Sequence, residues 1–406
     1  MLRADGRPIT PRMAREAMDA RLAPAPVESR PLSECAGSIL RQDVYAERDN
    51  PPFDRVCMDG IAICSDELAQ GVRRFTIQAM QAAGTPALTL SGASRAIEVT
   101  TGAIMPRGTD CVIPLEEYDV EAGIVTLKDG ASGGSHRNVQ QRGSDSQPGV
   151  PMLRAGMRLG APEIAVAASA GLAAVNVSRQ PSVMVVSTGD ELVEPGRPIA
   201  EHQVRRSNAH AVVAALRGHG FRTIGDDHIP DSEEILRERL ALHLAGRDVL
   251  ILSGGVSKGR FDFVPKVLKS LRVEEVFHEV AQRPGMPMWF GIGPRGQAVF
   301  GLPGNPVSTL MCLIRYVVPA VNAAMGARAG AAEPIALGAP ISRGGTLTSF
   351  VPVVIQHDAA GGRAALPRVT KGSGDFLALA GTDGFIELPP RAEGYPAGFV
   401  ADWYRW

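Results

Sequence analysis

Between Val183 and Ala320, short and strongly apolar runs alternate with longer stretches in which apolar positions recur at the helical period. That is the pattern of a parallel sheet whose strands are joined by crossover helices. Strands are expected at 183–186, 223–228, 248–252 and 298–300. The first intervening helix should start at Ser207-Asn208, residue types that cap N-termini, and stop at Gly218 or Gly220, where glycine accepts a left-handed backbone. The next should begin at Asp231, with Glu234 in capping-box spacing and Ile235, Leu236, Leu240, Leu242 and Leu244 as apolar positions. Past Gly330 the texture shortens to alternating segments at 348–356, 385–388 and 399–403, broken by Gly and Pro, which predicts a small all-β unit with a boundary near Arg328. The first 180 residues give a helix over 11–22 and strand-like runs at 75–80, 96–100 and 124–127, a mixed region with β character. The stretch 131–149 is rich in Gly, Ser, Gln and Asn, a composition that reads as a flexible linker. The Ala- and Gly-rich stretch 164–177 reads as one buried helix, shorter than the roughly 20 residues of a membrane span.

Composition narrows the function. A chain of 406 residues, 45% hydrophobic and 21% charged, can build two to four domains with separate cores. Its 42 basic and 43 acidic residues leave no electrostatic footprint for nucleic acid or an anionic membrane. The opening residues Met1-Leu2-Arg3-Ala4-Asp5-Gly6-Arg7 lack the apolar core of a signal peptide, so a cytoplasmic protein is expected. The five cysteines contain no C-x-x-C pair and read as core thiols. The eight histidines show no H-x-x-x-H or H-E-x-x-H spacing, so any metal would be hard and carboxylate-bound.

Three polar, glycine-bearing segments fall at the carboxyl ends of expected strands, where open α/β sheets bind ligands. They are Ser187-Thr188-Gly189-Asp190-Glu191-Leu192, Ser253-Gly254-Gly255-Val256-Ser257-Lys258-Gly259, and Gly301-Leu302-Pro303-Gly304-Asn305-Pro306-Val307-Ser308. Glycine lets backbone approach a phosphate, and helix N-termini stabilise its charge. Carboxylates at the same edge suit magnesium, which takes one or two of them together with phosphate oxygens. The plainer reading makes Asp231 and Asp262 N-caps, each worth about 1 kcal/mol, and leaves Asp190 and Glu191 as solvated turn residues.

Together with Pro52-Phe53-Asp54, Met58-Asp59-Gly60, Thr101-Gly102-Ala103, Pro106, Gly108, Asp110 and Arg283-Pro284-Gly285, these segments resemble, in order, the signatures of MoeA-type molybdopterin molybdenumtransferases. Weaker likeness extends to Lys371-Gly372-Ser373-Gly374 and Gly384-Phe385-Ile386-Glu387-Leu388-Pro389. The resemblance implies a multidomain α/β chain. A linking domain from 1–45 plus 146–180 carries an inserted β-rich domain, 46–145. A three-layer molybdopterin-binding α/β domain with a mostly parallel sheet, 181–328, and a small β-barrel-like domain, 329–406, follow. It implies a homodimer with a site shared between subunits, and magnesium-dependent insertion of molybdate into adenylated molybdopterin with release of AMP. Molybdopterin adenylyltransferase and recipient molybdoenzymes are the implied partners.

By the same resemblance the functional acids are Asp59, Asp145, Glu191, Asp231 and Asp262, the last three at the metal. Substrate would be held by Thr101, Gly102, Ser187, Thr188, Gly189, Asp190, Ser253, Gly254, Gly255, Ser257, Lys258, Arg283, Pro303, Gly304, Asn305, Ser308 and Ser373. Asp145 lies inside the stretch that composition reads as a linker, so the resemblance predicts order there. The chain departs from the family at two places. Where the family reads K-P-G-K-P it has Arg283-Pro284-Gly285-Met286-Pro287, and its tail stretch Leu347-Thr348-Ser349-Phe350-Val351-Pro352 has no arginine. Weaker molybdate binding is the expectation, since each charge-assisted hydrogen bond to an oxyanion contributes about 1.5–3 kcal/mol. The rival reading is a non-catalytic paralogue that carries the pterin without releasing AMP.

Overall fold

The computed structural model describes residues 8–256, 263–328, 330, 332–342, 344–357, 359 and 361–406. At its centre a six-stranded sheet runs in the order Ile224–Ile229, Val183–Thr188, Val249–Ser253, Ala298–Leu302, Trp289–Ile292, Glu274–His278. The first four strands are parallel, the fifth is antiparallel to the fourth, and the sixth is antiparallel to the fifth. The continuous apolar run at 183–186 follows from burial on both faces. Val183 and Val185 enter one core with the helices Ser207–Gly218 and Pro306–Ala324, while Met184 and Val186 enter another with Glu233–Gly246 and Val264–Ser270.

Both crossover helices are present, but their caps differ from expectation. Ser232, not Asp231, is the N-cap of Glu233–Gly246, its hydroxyl accepting from the Ile235 N–H at 3.5 Å. Ser207-Asn208 makes no cap either: Arg206 is the capping residue, without a side-chain bond to the helix end, and the Asn208 side chain bonds elsewhere. Past the first helix Gly220 takes φ +89°, the left-handed turn foreseen. Leu236, Leu240 and Leu244 are buried on the second helix, whereas Ile235 and Leu242 face out.

The 164–177 stretch is not one helix. It divides at Gly171, φ +83°, into the helix Ala161–Ser169 and the strand Ala174–Ser178, which pairs antiparallel with Val27–Pro31. Those elements pack with residues 35–44 and 153–159 in a core of their own. Between its two passes the chain builds a second six-stranded sheet from strands between Gly60 and Leu127. The helix Pro11–Arg21 buries Ala14 and Met18 in the central core instead. The tail closes five strands, Glu333–Leu337, Thr348–His357, Arg363–Pro367, Gly384–Leu388 and Val400–Arg405, into a small barrel through an added pairing of the second with the fourth. The central domain reaches into it with Gln282–Arg283, which pairs with Thr348-Ser349.

The helix Pro306–Ala324 is long and apolar enough to cross a membrane, yet 67% of its apolar window lies inside the protein, as a core helix does. Cysteines are less uniform than foreseen: Cys35, Cys111 and Cys312 are buried, Cys64 is half-buried and Cys57 exposed.

Candidate active site

Three strand ends meet where the sequence pattern placed them. Ser187, Thr188 and Gly189 end one strand, Ser253, Gly254 and Gly255 the next, and Pro303, Gly304 and Asn305 the third. With Glu191, Asp231, Arg205, Arg206 and Asn208 they line a cavity of about 680 Å³. The packing explains the glycines. A Cβ on Gly254, φ +95°, would lie 2.8 Å from the Thr188 carbonyl oxygen, and one on Gly255 2.9 Å from Thr188 Oγ1. The Thr188 hydroxyl itself is buried and has no hydrogen-bond partner among the described residues.

Of the acids at this edge, Asp190 is held by backbone. Glu191 folds back so that a Cβ on Gly189 would meet its carboxylate at 2.5 Å. The Asp231 N–H donates to Asp190 Oδ1 at 3.1 Å, and His228 Nε2 lies 2.9 Å from the Gly189 carbonyl oxygen. Among the described residues no group of three or more His, Cys, Asp or Glu is close enough to hold a metal ion. Two carboxylates and a hydroxyl without a partner among the described residues, all lining one cavity, nonetheless fit magnesium, a hard ion that completes its shell with phosphate and water. Asp262, Ser257 and Lys258 lie outside the described residues.

Two organisers of this cavity escaped the sequence reading. Asn208 Nδ2 donates to Ser253 Oγ at 3.0 Å and to the Gly304 carbonyl at 2.7 Å, tying two of the strand ends together. The buried Arg206 donates to Ser187 Oγ at 3.3 Å, to Glu194 at 2.8 Å and to Asp226. Burial works against its charge, but the two carboxylates more than offset that and hold its pKa up. Asn208 was visible only as a helix-start residue, and nothing in the spacing around Arg206 distinguishes it from a surface arginine.

A second cavity, of about 850 Å³, shares Pro287, Pro303 and Asn305 with the first and runs to the tail barrel. Arg283 and Lys371 line it with Ser308 and Ser373, and no acidic residue does so among those described. Asn305 Nδ2 donates to Ser373 Oγ at 2.7 Å across the domain boundary, and Thr309 Oγ1 fixes the Pro303 carbonyl at 2.6 Å.

Asp59 and Asp145 line neither cavity. Asp59 accepts from the Thr101 N–H at 2.6 Å and the Thr101 hydroxyl at 2.7 Å, bonds that hold its pKa below the usual carboxylate range. Gly102 beside it takes φ +85° and donates to the Val56 carbonyl at 2.9 Å. Asp145 accepts from Gln140 Nε2 at 2.7 Å. The stretch around it is ordered and not a linker: Val139-Gln140 pairs with Arg55-Val56, and the Gly143 and Asp145 N–H groups donate to the Pro51 and Asn50 carbonyls. Within one chain, then, Glu191 and Asp231 come together while Asp59 and Asp145 stand apart on the inserted sheet.

Comparison with known proteins agrees along the whole chain. Residues 9–171 match the model of the MoeA N-terminal region (domain I and II), 184–323 that of the probable molybdopterin binding domain, and 334–406 that of the MoeA C-terminal region (domain IV). A molybdopterin molybdenumtransferase of Synechocystis is 38% identical over 371 residues, 91% of this chain and 93% of the relative. One from Staphylococcus epidermidis is 31% identical over 381 residues, 91% and 89% of the two chains. The solved molybdopterin biosynthesis protein MoeA of Pyrococcus horikoshii OT3 superposes with TM-score 0.81 at 25% identity, covering 98% of this chain and 100% of that one.

Proposed function

The chain belongs to the MoeA family, enzymes of molybdenum cofactor biosynthesis, and on that footing we propose that it takes adenylated molybdopterin and molybdate, inserts the metal and releases AMP. The observation that carries this reading is the pair of adjoining cavities. One presents carboxylates and glycine-lined strand ends, the other, among the described residues, cationic and neutral groups without an acid.

In the first cavity the Ser253–Gly255 and Pro303–Asn305 loops hold the phosphate groups through closely approaching backbone. Glu191 and Asp231, with Asp262 beyond the described residues, would hold magnesium, which when bound neutralises the diphosphate and favours attack of water on it. Water adds across the P–O–P link, so that AMP leaves and the pterin keeps its own phosphate. In the second cavity Arg283 and Lys371 attract the molybdate dianion, with Ser308 and Ser373 as neutral donors. Among the described residues two cations line this cavity, a set that binds the dianion less tightly, and more salt-sensitively, than three or four would. Asp59 and Asp145, absent from both cavities, are assigned to the site of a partner subunit in a cytoplasmic homodimer.

The test is to incubate the protein with adenylated molybdopterin and magnesium, with and without molybdate, and to follow AMP together with activation of an apo-molybdoenzyme. AMP release with molybdate-dependent activation supports the transferase. Tight pterin binding with neither signal supports the non-catalytic carrier instead. Asp262→Asn should abolish AMP release at unchanged thermal stability, and retained turnover removes it from the metal site.

A further inference from the structure

The loop 283–287 forms one wall of the second cavity, and its central peptide has two unlike faces. On the inner side the Gly285 carbonyl accepts from Gln282 Nε2 at 3.0 Å, and the same nitrogen lies 3.3 Å from Cys312 Sγ. The other end of that amide, Gln282 Oε1, accepts from the Tyr316 hydroxyl. Gln282, Cys312 and Tyr316 are each fully buried, so the cluster cannot turn without leaving polar atoms unpaired in the core. A Cβ on Gly285, φ +93°, would lie 2.7 Å from Cys312 Sγ, which keeps the loop pressed against the cluster.

The Gly285–Met286 bond is trans, and a planar trans peptide sets its C=O and N–H on opposite sides. A carbonyl drawn inward therefore turns the Met286 N–H outward, to the side of the cavity. The Met286 carbonyl is already taken by the Val280 and Met288 N–H groups at 2.9 and 2.8 Å, whereas the Met286 N–H donates no hydrogen bond within the described residues. Its thioether side chain cannot replace an ammonium group, but its backbone can still offer a donor.

We propose that the Met286 amide N–H is an oxyanion donor of the second cavity, aimed there by Gln282 and Tyr316 acting as positioning residues. The proposal rests on the reading of that cavity as the molybdate side of the enzyme. It accounts for how the loop serves a dianion with Arg283 as its single side-chain charge.

The test measures the molybdate KM of the full-length protein in the activation assay. Tyr316→Phe and Gln282→Leu should each raise it about tenfold, the usual effect of losing one buried hydrogen-bonding partner. The double variant should do no worse than either, because both act through one peptide. The adenylated-pterin KM should not follow, and kcat at saturating molybdate should fall far less than the KM rises. A merely structural lesion would lower kcat and stability instead. Replacing the 285–286 amide by an ester removes the N–H while leaving a carbonyl, a weaker acceptor for Gln282, at Gly285, and should raise the molybdate KM likewise. If Gln282→Leu does not fold, Tyr316→Phe and the ester carry the test. Should Arg283→Ala raise the KM while the ester and Tyr316→Phe leave it unchanged, the proposal is overturned and the cavity reading stands. If none of these changes moves it, the cavity reading falls and takes the proposal with it.

Discussion

Position 286 concentrates the chemistry that separates this chain from the lysine-bearing pattern it resembles. Met286 lines the cationic cavity together with Arg283, so a lysine at this position would bring a further charge to the same cavity. Met286→Lys should lower the molybdate KM about tenfold at low salt, since one charge-assisted hydrogen bond contributes about 1.5–3 kcal/mol and part of that is screened. Titrating molybdate at two ionic strengths checks it, and an unchanged KM at both would place the ligand away from this loop. Single residues were the scale at which sequence reading was least complete. Arg283 and Ser373 could be picked out because they sit in recognisable motifs. Asn208, Arg206, Gln282 and Tyr316 could not, because, Gly285 apart, the partners described for them lie 12 to 96 positions away, and no local spacing encodes such meetings.

Elements show the opposite balance. The apolar runs that end at Val186 and Leu252 gave away their strands because burial on both faces demands continuous hydrophobicity, and the ligand edge followed from where those strands end. Caps were harder, since Asp231 and Ser232 are both good N-cap types and only the backbone decides between them. The structure gives the cap to Ser232 and leaves Asp231 at the cavity. Ser232→Ala should therefore cost about 1 kcal/mol of stability with AMP release little changed, while Asp231→Asn should lose AMP release. Chemical denaturation and turnover measured on both variants separate the roles, and the reverse pattern would return Asp231 to being a cap. The helix 306–324 holds a further element-level feature, a π-helical turn at Leu313–Val317. From it Arg315 reaches Glu387 of the barrel at 2.5 Å, where the Tyr404 hydroxyl also donates at 3.0 Å. Both charged side chains are largely buried, 12% and 17% exposed, so removing one strands the other. Arg315→Leu should destabilise by about 3 kcal/mol, with Glu387→Leu added to it recovering much of the loss. A double variant no more stable than the single would mean that the pair does not clamp barrel to core.

At the scale of the whole molecule the separation of the acids becomes the decisive fact. Glu191 and Asp231 line the first cavity, but Asp59 and Asp145 are bonded to Thr101 and Gln140 on the inserted sheet and line neither. Composition had read the segment carrying Asp145 as a linker, because Gly, Ser, Gln and Asn serve equally in loose chain and in loops pinned by backbone hydrogen bonds. If these acids act on the cavity of a twofold partner, every site draws Asp59 from one subunit and Asp231 from the other. Asp59→Asn and Asp231→Asn homodimers should then both be inactive, yet unfolding and refolding an equal mixture should restore activity. In a mixed dimer one site collects both substitutions and the other collects neither. With half of the dimers mixed, about a quarter of all sites are intact, and AMP release should return to about a quarter of the unsubstituted rate. Were all five acids to serve within one chain, every mixed dimer would carry a damaged acid in each site, and the mixture would stay as inactive as its parents.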